Sequence, residues 1–119
     1  MDAMIENRPE SEDQIAVANF LDLTKLLWMH TPNGGKRDKV TAAILKRMGV
    51  KAGVPDFLIF DPPKPWRPGT AIELKRLKGG KMSDDQIRWA KLFIERKWLY
   101  YKCDGSQDAI DIIKRLYGV

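Results

Sequence analysis

Apolar positions along this chain change period repeatedly, and the changes mark its elements. Ser11-Glu12-Asp13-Gln14 has the form of a capping box, with Ser11 as N-cap. It opens a helix to about Leu23 whose broad apolar face carries Ile15, Ala16, Val17, Phe20 and Leu21. Lys25 to His30 reads as a short strand, stopped by the turn residues Thr31-Pro32-Asn33-Gly34-Gly35. From about Arg37 or Asp38, Val40, Ala43, Ile44 and Met48 repeat at helical spacing with basic residues opposite, and Gly49 ends the run. Phe57 to Phe60 is apolar on both faces, as in an interior strand. Proline removes ladder donors, so Asp61-Pro62-Pro63-Lys64-Pro65-Trp66-Arg67-Pro68-Gly69 predicts a long hairpin arm leading to a third strand, Thr70 to Arg76. Beyond Leu77-Lys78-Gly79-Gly80-Lys81, a second capping box, Ser83-Asp84-Asp85-Gln86, opens a helix to about Arg96 with Ile87, Ala90, Phe93 and Ile94 inward. Trp98 to Lys102 is a fourth strand, Asp104-Gly105 a turn, and Ser106 caps a last helix carrying Ala109, Ile112, Ile113 and Leu116. The order α-β-α-β-β-α-β-α predicts an α/β domain, a mixed four-stranded sheet flanked by helices.

Composition narrows what such a domain can do. The 119 residues, 44% of them apolar, suit one domain over 1–119 with a real core, residues 1–10 forming a loose start. No apolar run is long enough to cross a bilayer, and the acidic N-terminus lacks the layout of a secretory signal, which favours a cytoplasmic protein with no membrane partner. The single Cys103 excludes an internal disulfide and a cysteine-based zinc site, leaving hard, oxygen-ligated metals. A formal charge of +5 favours a polyanionic partner. The basic residues cluster beside the central stretch, at Lys36-Arg37, Lys51, Arg76, Lys78 and Lys81 among others.

That stretch holds the candidate chemistry. Gly53-Val54-Pro55-Asp56 puts a carboxylate at the mouth of one strand, and Ile72-Glu73-Leu74-Lys75 puts a carboxylate and an amine on one face of the next. Phosphodiester hydrolysis needs charge neutralised in the transition state and a water made nucleophilic, which bound metal ions supply. Asp56, Glu73 and the Leu74 carbonyl offer oxygens to a divalent ion, and Lys75 would hold the attacking water or offset phosphate charge. An ordinary salt-bridged patch is the plain alternative, but charges spaced within interior strands need a stronger reason than solubility. Asn33-Gly34-Gly35-Lys36-Arg37 suits a phosphate cradle or a tight turn, and Lys78 with Lys81 a phosphate-gripping loop. Trp66 and Arg67 suit base stacking, or packing over a hydrophobic edge or partner subunit. His30 is expected to be packed or hydrogen-bonded rather than a base, and Cys103 to be a buried filler.

Pro55-Asp56 followed by Glu73-Leu74-Lys75 resembles the signature of the PD-(D/E)XK nuclease superfamily. Together with His30-Thr31-Pro32-Asn33-Gly34-Gly35, Gly49, Gly53-Val54, Arg76 and Ser83-Asp84-Asp85-Gln86, it resembles the VRR-NUC branch, including its small stand-alone viral and bacterial members. The resemblance implies a restriction-endonuclease-like core, dependence on Mg²⁺ or Mn²⁺, and cleavage of DNA, often branched, flapped or Holliday-junction DNA. It matches Asp56 and Glu73 to the metal-binding acids, Lys75 to the catalytic lysine, Glu12 to a glutamate on the first helix with a metal-site role, and Gln86 to a glutamine near the active site. It also implies a homodimer, in a bacterial cell or phage-infected host. For Glu12 the helix dipole, and for Gln86 the capping box, are competing reasons. A non-catalytic nucleic-acid-binding module and a protein-interaction subunit stand as alternatives.

Overall fold

The computed structural model describes residues 9–32, 38–78 and 80–119. Their elements run α1 (Glu10–Asp22), β1 (Trp28–His30), α2 (Lys39–Arg47), β2 (Phe57–Ile59), β3 (Thr70–Lys75), α3 (Asp84–Glu95), β4 (Leu99–Asp104) and α4 (Ser106–Tyr117), in the expected order. The four strands form one sheet in the order β1-β2-β3-β4. β1, β2 and β3 pair antiparallel, and β3 pairs parallel with β4. A parallel pair needs a crossover, and α3 supplies it.

Register decides which side chains share a face. Phe57 pairs with Ile72, and Leu74 with Cys103, so Phe57, Ile59, Ile72, Leu74 and Cys103 form one fully buried layer beneath Val17 and Leu21 of α1 and Ala109 and Ile113 of α4. Burying an apolar side chain of this kind contributes roughly 1.5–3 kcal/mol, so this layer fixes the register. Glu73 and Lys75 consequently point to the other face.

Several details depart from the sequence pattern. Ser11 is not the N-cap: the first helix starts at Glu10 with Pro9 before it, no side chain caps it, and the Glu12 N–H reaches the Pro9 carbonyl at 3.0 Å. Pro9 stands at the N-cap with ψ 142°, just outside the helix, and the acids Glu10, Glu12 and Asp13 occupy the first turn, where the dipole favours them. The buried stripe is Asp13, Val17 and Leu21, while Ile15 is 59% exposed. Ser106 does not cap the last helix either. Gly105 precedes it with φ 86°, and the buried Asp13 accepts the Ser106 N–H at 3.3 Å across the fold. In α3 only Ala90 is buried, and Ile87 and Ile94 face solvent.

The hairpin arm joins the end of β2 to the start of β3, at the end of the sheet opposite Asp56 and Lys75. Trp66 stands there 86% exposed with φ 34°, and Arg67 donates to the Lys97 carbonyl at 3.2 Å. The α2 stripe is uncovered, with Val40, Ile44 and Met48 exposed. No helix among the described residues is long and apolar enough to cross a membrane.

Candidate active site

The site is assembled at the end of the sheet where β2 begins and β3 stops. Asp56 reaches it through a sequence that forbids the ordinary ladder. Extending the β2–β3 register places Pro55 opposite Leu74, and proline has no N–H to offer the Leu74 carbonyl. The Leu74 N–H instead donates to Asp56 Oδ2 at 2.7 Å. In a strand the N–H and C=O of one residue point to the same side, so the Leu74 carbonyl is turned toward Asp56 as well. Behind it, His30 Nδ1–H donates to the Asp56 carbonyl at 2.8 Å, the Thr31 N–H joins it at 2.9 Å, and the Thr31 hydroxyl donates to the Pro55 carbonyl. His30 is therefore a backbone clamp, with its ring 5.2 Å from that of Phe57, as its place at a strand end suggested.

Glu73 is 1% exposed and lies beside Asp56. Burial is the chief cause that pushes its carboxyl up to about 9, and the Asp56 carboxylate adds to it by its charge and its hold on the shared proton. Lys75 opposes the rise. Glu73 Oε2 is buried and accepts no hydrogen bond from the described residues. A buried acceptor left so costs about 1–3 kcal/mol, which marks this oxygen as one aimed at something besides the fold.

Lys75 Nζ donates to Gln86 Oε1 at 2.8 Å, and the same oxygen accepts the Ser83 N–H at 2.8 Å. The two reasons for Gln86 are thus satisfied together, since a carbonyl oxygen has two lone pairs. Close packing sets the lysine and this helix end. A Cβ at Gly53, where φ is +87°, would lie 2.5 Å from the Asp85 carbonyl carbon, and one at Gly80 would lie 2.7 Å from Lys75 Cβ.

From the first helix it is Glu10, not Glu12, that faces this end. Glu12 is exposed, whereas the Glu10 carboxyl is raised first by burial and then by the charge of Asp56, with Lys75 and Arg76 opposing. Helical geometry explains the exchange: Gln14, one turn beyond Glu10, donates to Asp56 Oδ1 at 3.4 Å, and Glu12 points away from that face. The spacing of Glu10 and Gln14 behind Pro9 was the available signal. Tyr100 also went unrecognised. Its hydroxyl is buried without a hydrogen-bond partner among the described residues, and burial, then the charges of Glu73 and Asp56, raise its pKa.

Arg76, Lys78 and Lys81 lie on the segment that leaves β3 at this end, and Lys51 on the segment that enters β2; all four are exposed. Lys36, Arg37 and the glycine turn before them lie outside the described residues. Among the described residues no group of three or more His, Cys, Asp or Glu side chains forms a complete ligand set. Asp56, Glu73 and the Leu74 carbonyl are the oxygens on offer, and Mg²⁺ takes few protein oxygens because it keeps several waters.

A sequence model of the VRR-NUC domain matches residues 7–107, which include Glu10, Asp56, Glu73, Lys75 and Gln86. A solved structure described as a VRR_NUC domain protein superimposes with a TM-score of 0.76 at 25% sequence identity, covering 92% of this chain and 88% of its own. No curated protein matches. With all four strands, the site residues and the first three helices inside the matched region, the chain belongs to the VRR-NUC domain family.

Proposed function

We propose that this nuclease-type domain is a Mg²⁺- or Mn²⁺-dependent deoxyribonuclease that hydrolyses phosphodiester bonds, with structured DNA as its substrate. The observation that carries the reading is the pairing of Asp56, fixed on the Leu74 N–H, with a buried Glu73 whose Oε2 accepts nothing from the described residues. Two hard carboxylates that repel each other, beside a carbonyl with no ladder donor, fit a divalent cation. Asp56, Glu73 and the Leu74 carbonyl would hold it, with Glu10 facing the same end. When bound, the cation offsets the carboxylate charge and the charge that builds on the phosphate.

The remaining work falls to the chain's own groups. The Lys75 ammonium, held by Gln86, orients the attacking water and opposes the charge on the scissile phosphate. Lys51, Arg76, Lys78 and Lys81 draw the DNA backbone to this end and position it without reading sequence. The uncovered α2 stripe of Val40, Ile44 and Met48 supports a homodimer, which sedimentation equilibrium tests. Cleavage of single-stranded, flapped, nicked and four-way DNA with Mg²⁺ and with Mn²⁺ tests the activity and the substrate class together. Asp56→Asn and Glu73→Gln are expected to abolish cleavage while leaving fold and DNA binding intact, and undiminished cleavage by both would overturn the mechanism.

A further inference from the structure

The capping box of α3 reaches the candidate lysine. Ser83 stands before the helix in extended conformation, its Oγ accepting the Gln86 N–H at 3.2 Å and its own N–H donating to Gln86 Oε1 at 2.8 Å. That Oε1 is the atom that accepts Lys75 Nζ. Both of its neighbours are donors, so the Gln86 amide has one workable orientation, and reversing it would set its NH₂ against two donors. The helix cap therefore chooses which end of Gln86 meets the lysine.

Capping alone does not require glutamine here. Glutamate completes a capping box equally well. It would also pair with Lys75, but it would neutralise the ammonium and bring another negative charge to an end of the sheet that already holds Asp56, Glu73 and Glu10. Glutamine holds the lysine and leaves its charge available to a phosphate. A hold is needed, because lysine is a flexible stem whose ammonium is attracted to the neighbouring carboxylates.

We infer that Ser83 is a positioning residue for Lys75, acting through Gln86, so that formation of the α3 cap and alignment of the lysine are one event. The role of Lys75 in cleavage rests on the proposed nuclease activity, whereas its ordering by Ser83 does not.

The test compares wild type with Ser83→Ala, Ser83→Thr, Gln86→Ala and the Ser83→Ala/Gln86→Ala double variant. Two quantities are read: side-chain order of Lys75 by ¹³C relaxation without metal or DNA, and single-turnover cleavage with Mn²⁺ at saturating DNA. Ser83→Ala is expected to loosen Lys75 and slow cleavage about tenfold, as expected for loss of a cap hydrogen bond. DNA affinity is expected to stay unchanged, Ser83→Thr to restore both quantities, and Ser83→Ala to add nothing once Gln86 is gone. Unaltered Lys75 order in Ser83→Ala, or a cleavage defect that persists undiminished in the Gln86→Ala background, overturns the inference. Should wild type cleave no DNA, the nuclease reading falls and the relaxation result still decides the role of Ser83.

Discussion

Replacing Glu73 by Gln separates what this side chain costs the fold from what it does for the site. Glu73 is 1% exposed, and its carboxyl is pushed from 4.5 up to about 9, first by burial and then by Asp56. The folded protein thus holds this proton more tightly than the unfolded chain does. For an acid whose folded pKa is raised, the contribution to stability is full below the unfolded value of 4.5 and is lost as pH rises from there through about 9. At about 1.4 kcal/mol per unit, the metal-free wild type loses on the order of 5 kcal/mol between pH 4.5 and about 8.5. That is a large share of the roughly 5–15 kcal/mol that holds a domain folded. Gln has the same shape and never ionises. Urea unfolding with a chelator present is therefore expected to give Glu73→Gln and wild type equal stability near the low end of this range, and a clear advantage to the variant at the high end. Adding Mn²⁺ at about a hundred times its dissociation constant is expected to stabilise wild type by about 2.7 kcal/mol and to leave the variant unmoved. A variant equally destabilised at both pH values, or equally stabilised by Mn²⁺, refutes the reasoning.

Other expectations concern single positions. Asp56→Asn keeps an oxygen for the Leu74 N–H and is expected to fold normally but lose cleavage, whereas Asp56→Ala leaves that buried donor unpaired and is expected to cost a further 1–3 kcal/mol or so in urea unfolding. Glu10→Gln is expected to weaken Mn²⁺ binding by calorimetry while Glu12→Gln leaves it unchanged, because the half-buried Glu10 faces Asp56 and Glu12 is exposed. Gly53→Ala combines a φ of +87° with a Cβ set 2.5 Å from Asp85; a loss of about 1–3 kcal/mol in thermal unfolding is expected, with slowed cleavage as the start of α3 and Gln86 shift.

Much of the fold was legible because period and turn chemistry agree along most of the chain. The interior β2, the β3 alternation and the Ser83 capping box each follow from local signals, and each stands in the structure. The same signals misled where a partner distant in sequence intervenes. Asp13 carried no signal beyond its place in the Ser11–Gln14 pattern, yet its buried carboxylate accepts the Ser106 N–H at the start of α4. Ser11 looked like a cap because the Ser-x-x-Gln pattern is short and common, while the helix already begins at Glu10. Strand spacing and the family pattern mark Asp56, Glu73, Lys75 and Gln86, and the structure brings the four side chains to one end of the sheet. Glu10 rather than Glu12 faces this end because it lies one helical turn before Gln14, whose amide reaches Asp56, a relation that depends on where α1 docks and not on its own sequence. Tyr100 could not be picked out, since its link to Glu73 depends on the pairing of β3 with β4.

The central claim is that Lys75 acts on the scissile phosphate beside a metal held by Asp56 and Glu73. Its most direct test measures binding and cleavage of one branched DNA by wild type and Lys75→Ala, in Mg²⁺ and in chelator. Wild type is expected to cleave in Mg²⁺ alone, and Lys75→Ala to bind nearly as well without cleaving. Cleavage by wild type in chelator, or full cleavage by Lys75→Ala, would contradict it.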